Sequence, residues 1–437
     1  RRLDVYPSEF GTDRQLAALH DFVLKADEHR RDLLLGRAAP RFGDIGLMAG
    51  EHVPTNPDQD RAIRSALAAE DFALIHGPPG TGKTYTIARL VRALRSRGER
   101  VLLAAFTNRA VDNALEAIRE QGLEDVVRMG TTSGVRDDML DVRLDPRGDP
   151  EETAGQLREA GVVAATASGC GSRELATQDF DVAVVDEASQ LTEPGALAAI
   201  NRADRFVLVG DHRQLPPVVR SDTGLAESLF ERLIRAAPDA AVTLSTQYRM
   251  AQAIQAFPSQ EFYDGALRPA TSDVASRSPV DVADPTGLPA ALRRPVAFVD
   301  VPGDSEAADG ATDDGRHTNP AEADRVAELV SIYEAAGVDR ADIGVITPYR
   351  AQVAAIDQRL PSGVTVDTVD RFQGSSKAVV IISFVATGAL DGPLFEDERR
   401  LNVALTRARS ALVLVGDRAT LTDEPLYARM VDWAESV

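Results

Sequence analysis

Eight residues constrain this chain more than any others: Gly77-Pro78-Pro79-Gly80-Thr81-Gly82-Lys83-Thr84. They match G-x4-G-K-[ST], follow directly on the apolar run Phe72–His76 and lead straight into a helical pattern. In that setting the glycines let the backbone wrap around phosphate oxygens, and the N–H groups with the helix dipole hold the anion. Lys83 then reaches the β- and γ-phosphates, and the Thr84 hydroxyl ligates Mg²⁺. A loop of this kind needs a strand before it and a helix after it, so it dictates an α/β unit.

The rest of the chain repeats that alternation. Short β-branched apolar runs predict strands at Phe72–His76, Val101–Ala105, Val162–Ala165, Val182–Val185 and Phe206–Val209. A second set follows at Val242–Ser245, Val296–Val301, Ile343–Thr347, Val364–Thr368, Val379–Val385 and Ala411–Val415. Runs this apolar suit parallel strands covered on both faces, with the intervening helices completing βαβ units. Two groups of strands imply two tandem α/β domains, 51–240 and 241–437. The helical pattern at Asp13–Arg37, with Leu16, Leu19, Val23 and Leu24 on one side, makes 1–50 a connector or stalk. Arg136–Glu152, with Pro146, Gly148 and Pro150, and Asp300–Asp324, with eight acids against the single Arg316, read as solvated loops. Asn319-Pro320-Ala321-Glu322 fits a helix start, with an N-cap, Pro at N1 and a reciprocal Glu at N3.

Charge adds a paradox. The formal net charge is −20, from 48 Lys+Arg against 68 Asp+Glu, which argues against a simple basic nucleic-acid module. Only Lys25, Lys83 and Lys377 are lysines; the other cations are arginines. A GC-rich genome would favour arginine without physical purpose, whereas acid excess with few lysines fits a protein working in concentrated salt. One cysteine, Cys170, excludes a disulfide framework and any four-Cys metal cluster within these residues. No run of about 18 apolar residues predicts a membrane span.

Two further patterns carry chemistry. Val182-Ala183-Val184-Val185-Asp186-Glu187 is an apolar strand ending in two carboxylates. Paired with the phosphate loop, Asp186 would hold the metal and Glu187 would orient or deprotonate the attacking water. Gln59, just upstream of the first strand, carries an amide able to satisfy both a donor and an acceptor on adenine. Gly210-Asp211-His212-Arg213-Gln214-Leu215-Pro216-Pro217 follows another strand, and Gln214 would there sense the γ-phosphate.

With these residues in hand the chain resembles a superfamily 1 helicase. Further matching stretches are Phe106-Thr107-Asn108-Arg109-Ala110-Val111-Asp112-Asn113, Asp186-Glu187-Ala188-Ser189-Gln190 and Leu244-Ser245-Thr246-Gln247-Tyr248-Arg249-Met250. Ile346-Thr347-Pro348-Tyr349-Arg350-Ala351-Gln352, Asp367–Gly374 and Arg400–Arg409 complete the set, so the resemblance covers about Glu51 onward. Asp-Glu-Ala-Ser-Gln and Gln-Tyr-Arg-Met point to the branch containing the DNA-replication nuclease-helicases and the nonsense-mediated-decay RNA helicases. The Thr-Asn-Arg-Ala-Val-Asp-Asn stretch is most similar to the former, particularly archaeal members.

The resemblance implies two RecA-like domains with Mg·ATP in their cleft and a single strand across their upper faces. It makes Arg249 and Arg407 arginine fingers for the γ-phosphate, a role that suits an always-charged guanidinium. Tyr248 becomes an adenine-stacking residue, with a core position as its alternative. Thr107, Asn113, Thr166, Pro348, Tyr349 and Thr368 match positions near the strand-binding channel, where small polar groups bond phosphates and an aromatic stacks. Two departures stand out. Ser375-Ser376 replaces the acidic residue usual after Gln373-Gly374. The nuclease and its cysteine-ligated cluster, expected upstream, are not in these residues, which implies the motor portion of a longer protein or a member without that activity.

The implied function is an ATP-dependent DNA helicase on single-stranded DNA or a tailed duplex, moving 5′ to 3′, in replication or repair. An RNA helicase of the decay-factor branch, or an ATP-switched scaffold without unwinding, are the alternatives. A cytoplasmic, nucleoid-associated monomer is expected.

Overall fold

The computed structural model describes residues 10–44, 56–145, 149–219, 224–303, 317–386, 388, 390 and 392–437. They gather into two units. The first runs to Leu244, apart from segments 79–81 and 213–215, which cluster with the second; the second otherwise spans Ser245–Val437.

The first unit is built on eight strands: β1 (Phe72–His76), β2 (Val101–Ala105), β3 (Val126–Met129), β4 (Arg143–Leu144), β5 (Val162–Thr166), β6 (Phe180–Asp186), β7 (Ala203–Gly210) and β8 (Ala241–Thr243). Their order is β4-β3-β5-β2-β6-β7-β1-β8, and every pairing is parallel. Alternating side chains enter opposite cores. Leu74, Leu102, Val163, Val185 and Leu208 line one face; Ile75, Leu103, Val162, Val184 and Val207 line the other. That is why these strands read as unbroken apolar runs. Helices Pro57–Ala68, Lys83–Ser96 and Asn108–Arg119 cover the second face, while Glu193–Ile200 and Leu229–Ala236 cover the first.

The structure differs from the sequence reading in four places here. The strand near Val242 pairs with β1 and so belongs to the first sheet. β3 carries Arg128 inside an apolar run, and the charge hides the strand. That guanidinium is fully buried, donating to Asp112 Oδ1 at 2.7 Å and Asn108 Oδ1 at 2.9 Å. The stretch after Arg136 is not simply solvated: Met139 and Leu144 are buried and β4 extends the sheet, while 146–148 lie outside the described residues. The N-terminal pattern forms helices Phe10–Lys25 and Glu28–Leu34, but Leu16, Leu19, Val23 and Leu24 face solvent. Ala18 and Phe22 pack instead on the first core, and Asn201 Nδ2 donates to the Ala18 carbonyl at 2.8 Å.

The second unit carries β11 (Val296–Asp300), β12 (Ile343–Thr347), β13 (Thr365–Thr368), β14 (Lys377–Ser383) and β15 (Ala408–Gly416), in the order β11-β15-β14-β12-β13, again all parallel. Ile346, Val380, Ile382, Leu412 and Leu414 face one core; Val345, Val379, Ile381 and Val413 face the other. A separate two-stranded ribbon, β9 (Thr246–Gln247) with β10 (Arg268–Pro269), was not signalled by apolar runs. Among the described residues all eleven expected strands form, and four more with them.

Helix Pro320–Ala335 starts as expected, with Asn319 Oδ1 accepting from Glu322 N at 3.0 Å. The reciprocal bond differs. Gln352 Oε1 takes the Asn319 backbone N–H, so the Glu322 carboxylate turns inward. There it accepts from Ser383 Oγ at 2.6 Å and from Val385 N at 3.0 Å, fully buried. Val385 adopts φ 58°, an uncommon conformation for a β-branched residue, and the carboxylate holds its amide in place.

Burial above all, with Asp417 adding to it, pushes Glu322 from the usual 4.5 up to about 7, against the opposing hydrogen bonds. A carboxyl that binds its proton more tightly when folded stabilises the fold below its unfolded pKa, and that stability is lost as the pH rises through about 7. The second unit's urea midpoint should therefore fall between pH 5 and 7.5, and Glu322→Gln should flatten the decline. A decline as steep in the variant would assign it to another group.

Candidate nucleotide site and strand-end residues

Parallel strands deliver the carboxyl ends of β1, β6 and β7 to one edge of the first sheet, with β7 between the other two. The phosphate loop follows β1. Gly80 and Gly82 have φ of 76° and 81°, which L side chains rarely adopt. A Cβ on Gly77 would collide with the Lys83 stem, and one on Gly82 would stand 2.7 Å from Gln59 Nε2. Gln59 therefore lies against the loop. It is buried at the start of Pro57–Ala68, where Asn56 caps the helix by accepting from Gln59 N at 2.9 Å. Lys83 Nζ donates to the Gly77 carbonyl at 2.7 Å, folding the lysine back over its own loop.

Asp186 ends β6 and Glu187 follows it with φ 50°. A glutamate held in the left-handed region marks strain of the kind that clusters at functional positions. Glu187 Oε2 accepts from Gln190 Nε2 at 3.0 Å, and Asp186 Oδ1 accepts from the Glu187 amide at 2.9 Å. Burial, then the neighbouring Glu187 carboxylate, push the Asp186 pKa upward against the pull of Lys83. A divalent cation would relieve that repulsion. The Thr84 hydroxyl and the Asp186 carboxylate are the hard oxygen donors that Mg²⁺ takes, so these residues fit the ion.

A polar relay that the sequence did not signal ties the strand ends together. His76, the last residue of β1, pairs with Asp211 Oδ1 at 3.0 Å, and the Asp211 amide donates to Ser189 Oγ at 3.2 Å. The end of β1, the residues after β6 and those after β7 are thus linked within the first unit.

The second unit holds Gln214, Tyr248, Arg249 and Arg407. Arg407 is buried, donating from Nε to Val403 O at 2.9 Å and from Nη2 to Gln214 Oε1 at 3.2 Å. Arg249 Nη1 donates to Thr406 O at 3.1 Å, so both arginines meet the same turn. Tyr248 is exposed rather than a core residue, and its amide donates to the Gly80 carbonyl at 2.8 Å. Two residues unassigned from sequence shape this turn. Gln247, fully buried, accepts from the amides of Arg249 and Met250; Arg277 donates to the carbonyls of Tyr248 and Arg249. Both act through backbone groups, which motif patterns do not reveal.

The other candidates fall at neighbouring strand ends in each unit. Ala105 of β2 is in register with Thr166 of β5. Thr107 and Thr166 each cap the helix that follows, accepting from Ala110 N and Gly169 N. Asn113 lies in the helix that Thr107 caps, its Oδ1 accepting from Arg136 at 2.9 Å. In the second unit Thr347 is in register with Thr368, and Pro348-Tyr349 follow directly.

A model described as an AAA domain matches residues 54–284, and a second of the same description matches 225–419. A DNA replication ATP-dependent helicase/nuclease of Arabidopsis thaliana is 35% identical, over 98% of this chain and 34% of that protein. A DNA polymerase alpha-associated DNA helicase of Schizosaccharomyces pombe is 32% identical, over 97% of this chain and 74% of its own length. The chain thus spans about a third of the helicase/nuclease and most of the shorter helicase. An arterivirus nonstructural protein 10 helicase, solved with DNA, aligns over 83% of this chain and 62% of its own, at 17% identity and a TM-score of 0.44.

Gly82→Ala would place a methyl group in the left-handed region and against Gln59. It should weaken binding of a fluorescent ATP analogue by about tenfold and, because the strain is present without ligand, lower the first unit's thermal midpoint by about a few degrees. Unaltered affinity would show that the loop relaxes without glycine.

Proposed function

Because the chain belongs to the superfamily 1 helicases, in the branch that holds the DNA-replication helicase/nucleases, we propose that it is an ATP-driven motor on single-stranded DNA. It moves 5′ to 3′ and displaces the complementary strand. The observation that carries this reading is the gathering of Gln59, the phosphate loop with Lys83, and Asp186-Glu187 at one edge of a parallel sheet, Glu187 held in a strained conformation.

In this reading Gln59 and Tyr248 hold adenine, and the loop amides with Lys83 hold the phosphates. Thr84 and Asp186 would hold Mg²⁺, whose charge neutralises the β- and γ-phosphate oxygens. Glu187 takes the proton of the attacking water, and Gln190 fixes its carboxylate. Arg249 and Arg407 balance the charge that develops on the γ-phosphate, and Gln214 senses its loss. Thr107, Asn113, Thr166, Pro348, Tyr349 and Thr368 contact the strand.

Further parts of the reading rest on resemblance and composition. The motor acts as a monomer in a prokaryotic cytoplasm, either as the motor portion of a nuclease-helicase or as a member of the branch without nuclease activity. Its acid-rich, lysine-poor composition suits work in concentrated salt, as in haloarchaea.

Glu187→Gln should cut DNA-stimulated ATP turnover about a hundredfold or more while leaving ATP affinity intact, and Lys83→Ala should lose both. Wild-type hydrolysis by Glu187→Gln would reject the base assignment.

Strand displacement on 5′- and 3′-tailed DNA and RNA duplexes, repeated from low to molar KCl, tests the rest. Faster unwinding of the 5′-tailed DNA, persisting at high salt, is expected. Preference for the 3′ tail would reverse the polarity, preference for RNA would move the chain to the decay-factor group, and ATPase without displacement would make it a switch.

A further inference from the structure

Tyr349 leaves the carboxyl end of β12, and the His317 imidazole lies on its ring. The centroids are 4.5 Å apart and the planes 24° from parallel. His317 is exposed and Tyr349 half-buried, so the stack is a surface feature and not core packing. Beneath it, Gly392 leaves no room for a Cβ beside the Tyr349 hydroxyl, so backbone closes against that side chain.

One side-chain amide fixes both rings. Gln352, three residues after Tyr349, accepts from the Asn319 amide at 2.9 Å and donates to the Asn319 carbonyl at 3.0 Å. Asn319 is two residues after His317. Gln352 Nε2 also reaches Ser383 Oγ at 3.2 Å, which donates to buried Glu322. The two ring-bearing segments are thus clamped to each other and to the end of β14. Thr368, in register with Thr347, stands at the next strand end.

We propose that His317 and Tyr349 form a two-ring platform on which a base of the bound single strand stacks, with His317 presenting the outer face. The inference rests on the single-strand-binding function proposed above. Aromatic faces take any base, and an imidazole serves as well as a phenol ring. Rings already stacked on a rigid support lose little freedom on binding, so the contact keeps most of its stacking energy. Gln352 is the positioning residue: it touches no base and sets the distance between the two ring-bearing segments.

The test measures binding of a fluorescent oligothymidylate and of the same oligonucleotide carrying abasic positions, for the wild-type chain, His317→Ala, His317→Phe and Gln352→Ala. His317→Ala should weaken binding of the normal strand about tenfold, the size of one stacked base, and His317→Phe should restore it. On the abasic strand His317→Ala should make no difference. Gln352→Ala should weaken strand binding while ATPase without DNA keeps its wild-type KM for ATP. Wild-type affinity in His317→Ala, or equal losses on normal and abasic strands, would overturn the platform. If the wild-type chain binds neither strand, the single-strand function itself fails, and the platform with it.

Discussion

Both sheets are parallel throughout, and everything else follows from that constraint. A parallel pair cannot be joined by a tight turn, so each strand must hand over to a crossover that returns along a face. With both faces covered, polar side chains have few places to go except the strand ends. The carboxyl ends of β1, β6 and β7 collect the phosphate loop, Asp186-Glu187 and Gly210-Asp211 on one edge. In the second unit the ends of β12, β13 and β14 collect Pro348-Tyr349, Thr368 and Ser383 in the same way.

Each unit also keeps one strained residue just beyond a strand in the interior of its sheet. Glu187 follows β6 with φ 50°, and Val385 lies two residues past β14 with φ 58°. Such conformations persist only where neighbours over-determine them. Glu187 is held by Gln190 at its tip, and the Val385 amide is held by the buried Glu322 carboxylate. In both cases a strand paired on both sides passes its rigidity to the first residues outside the sheet.

The strands and the glycine-rich turn between β1 and its helix were legible because their signals are local and chemical. A β-branched run means a doubly covered strand, and G-x4-G-K-[ST] after such a run means phosphate. What escaped is non-local. β3 was hidden by Arg128, whose charge is cancelled by Asp112 sixteen residues away. His76 looked like the end of an apolar run until Asp211 stood beside it. Gln247, Arg277 and Gln352 work through backbone carbonyls and amides, which carry no residue signature. Glu322 was read correctly as the N3 residue of its helix, but its carboxylate had a stronger claim inside. The stripe Leu16, Leu19, Val23 and Leu24 has helical spacing yet faces solvent, since spacing gives a face and not what covers it.

The arginine bias has a structural use beyond codon choice or salt. Arg30 donates to the carbonyls of Ile200, Ala203 and Asp204. Arg100 reaches those of Leu157, Ala160 and Asp179, Arg205 that of Ala66, and Arg97 that of Leu67. A planar fork with five donors can close several helix and strand ends at once, which an ammonium on a flexible stem does poorly. Guanidinium groups committed to such bonds have fewer donors left for phosphates, so the count of cations overstates how many could pair directly with a strand. A chain with net charge −20 that spends arginines this way gains little from counterion release. On the proposed reading, a hold on a single strand would come from contacts that salt screens least: hydrogen bonds at strand ends and flat rings such as Tyr349 and His317, which stack 4.5 Å apart.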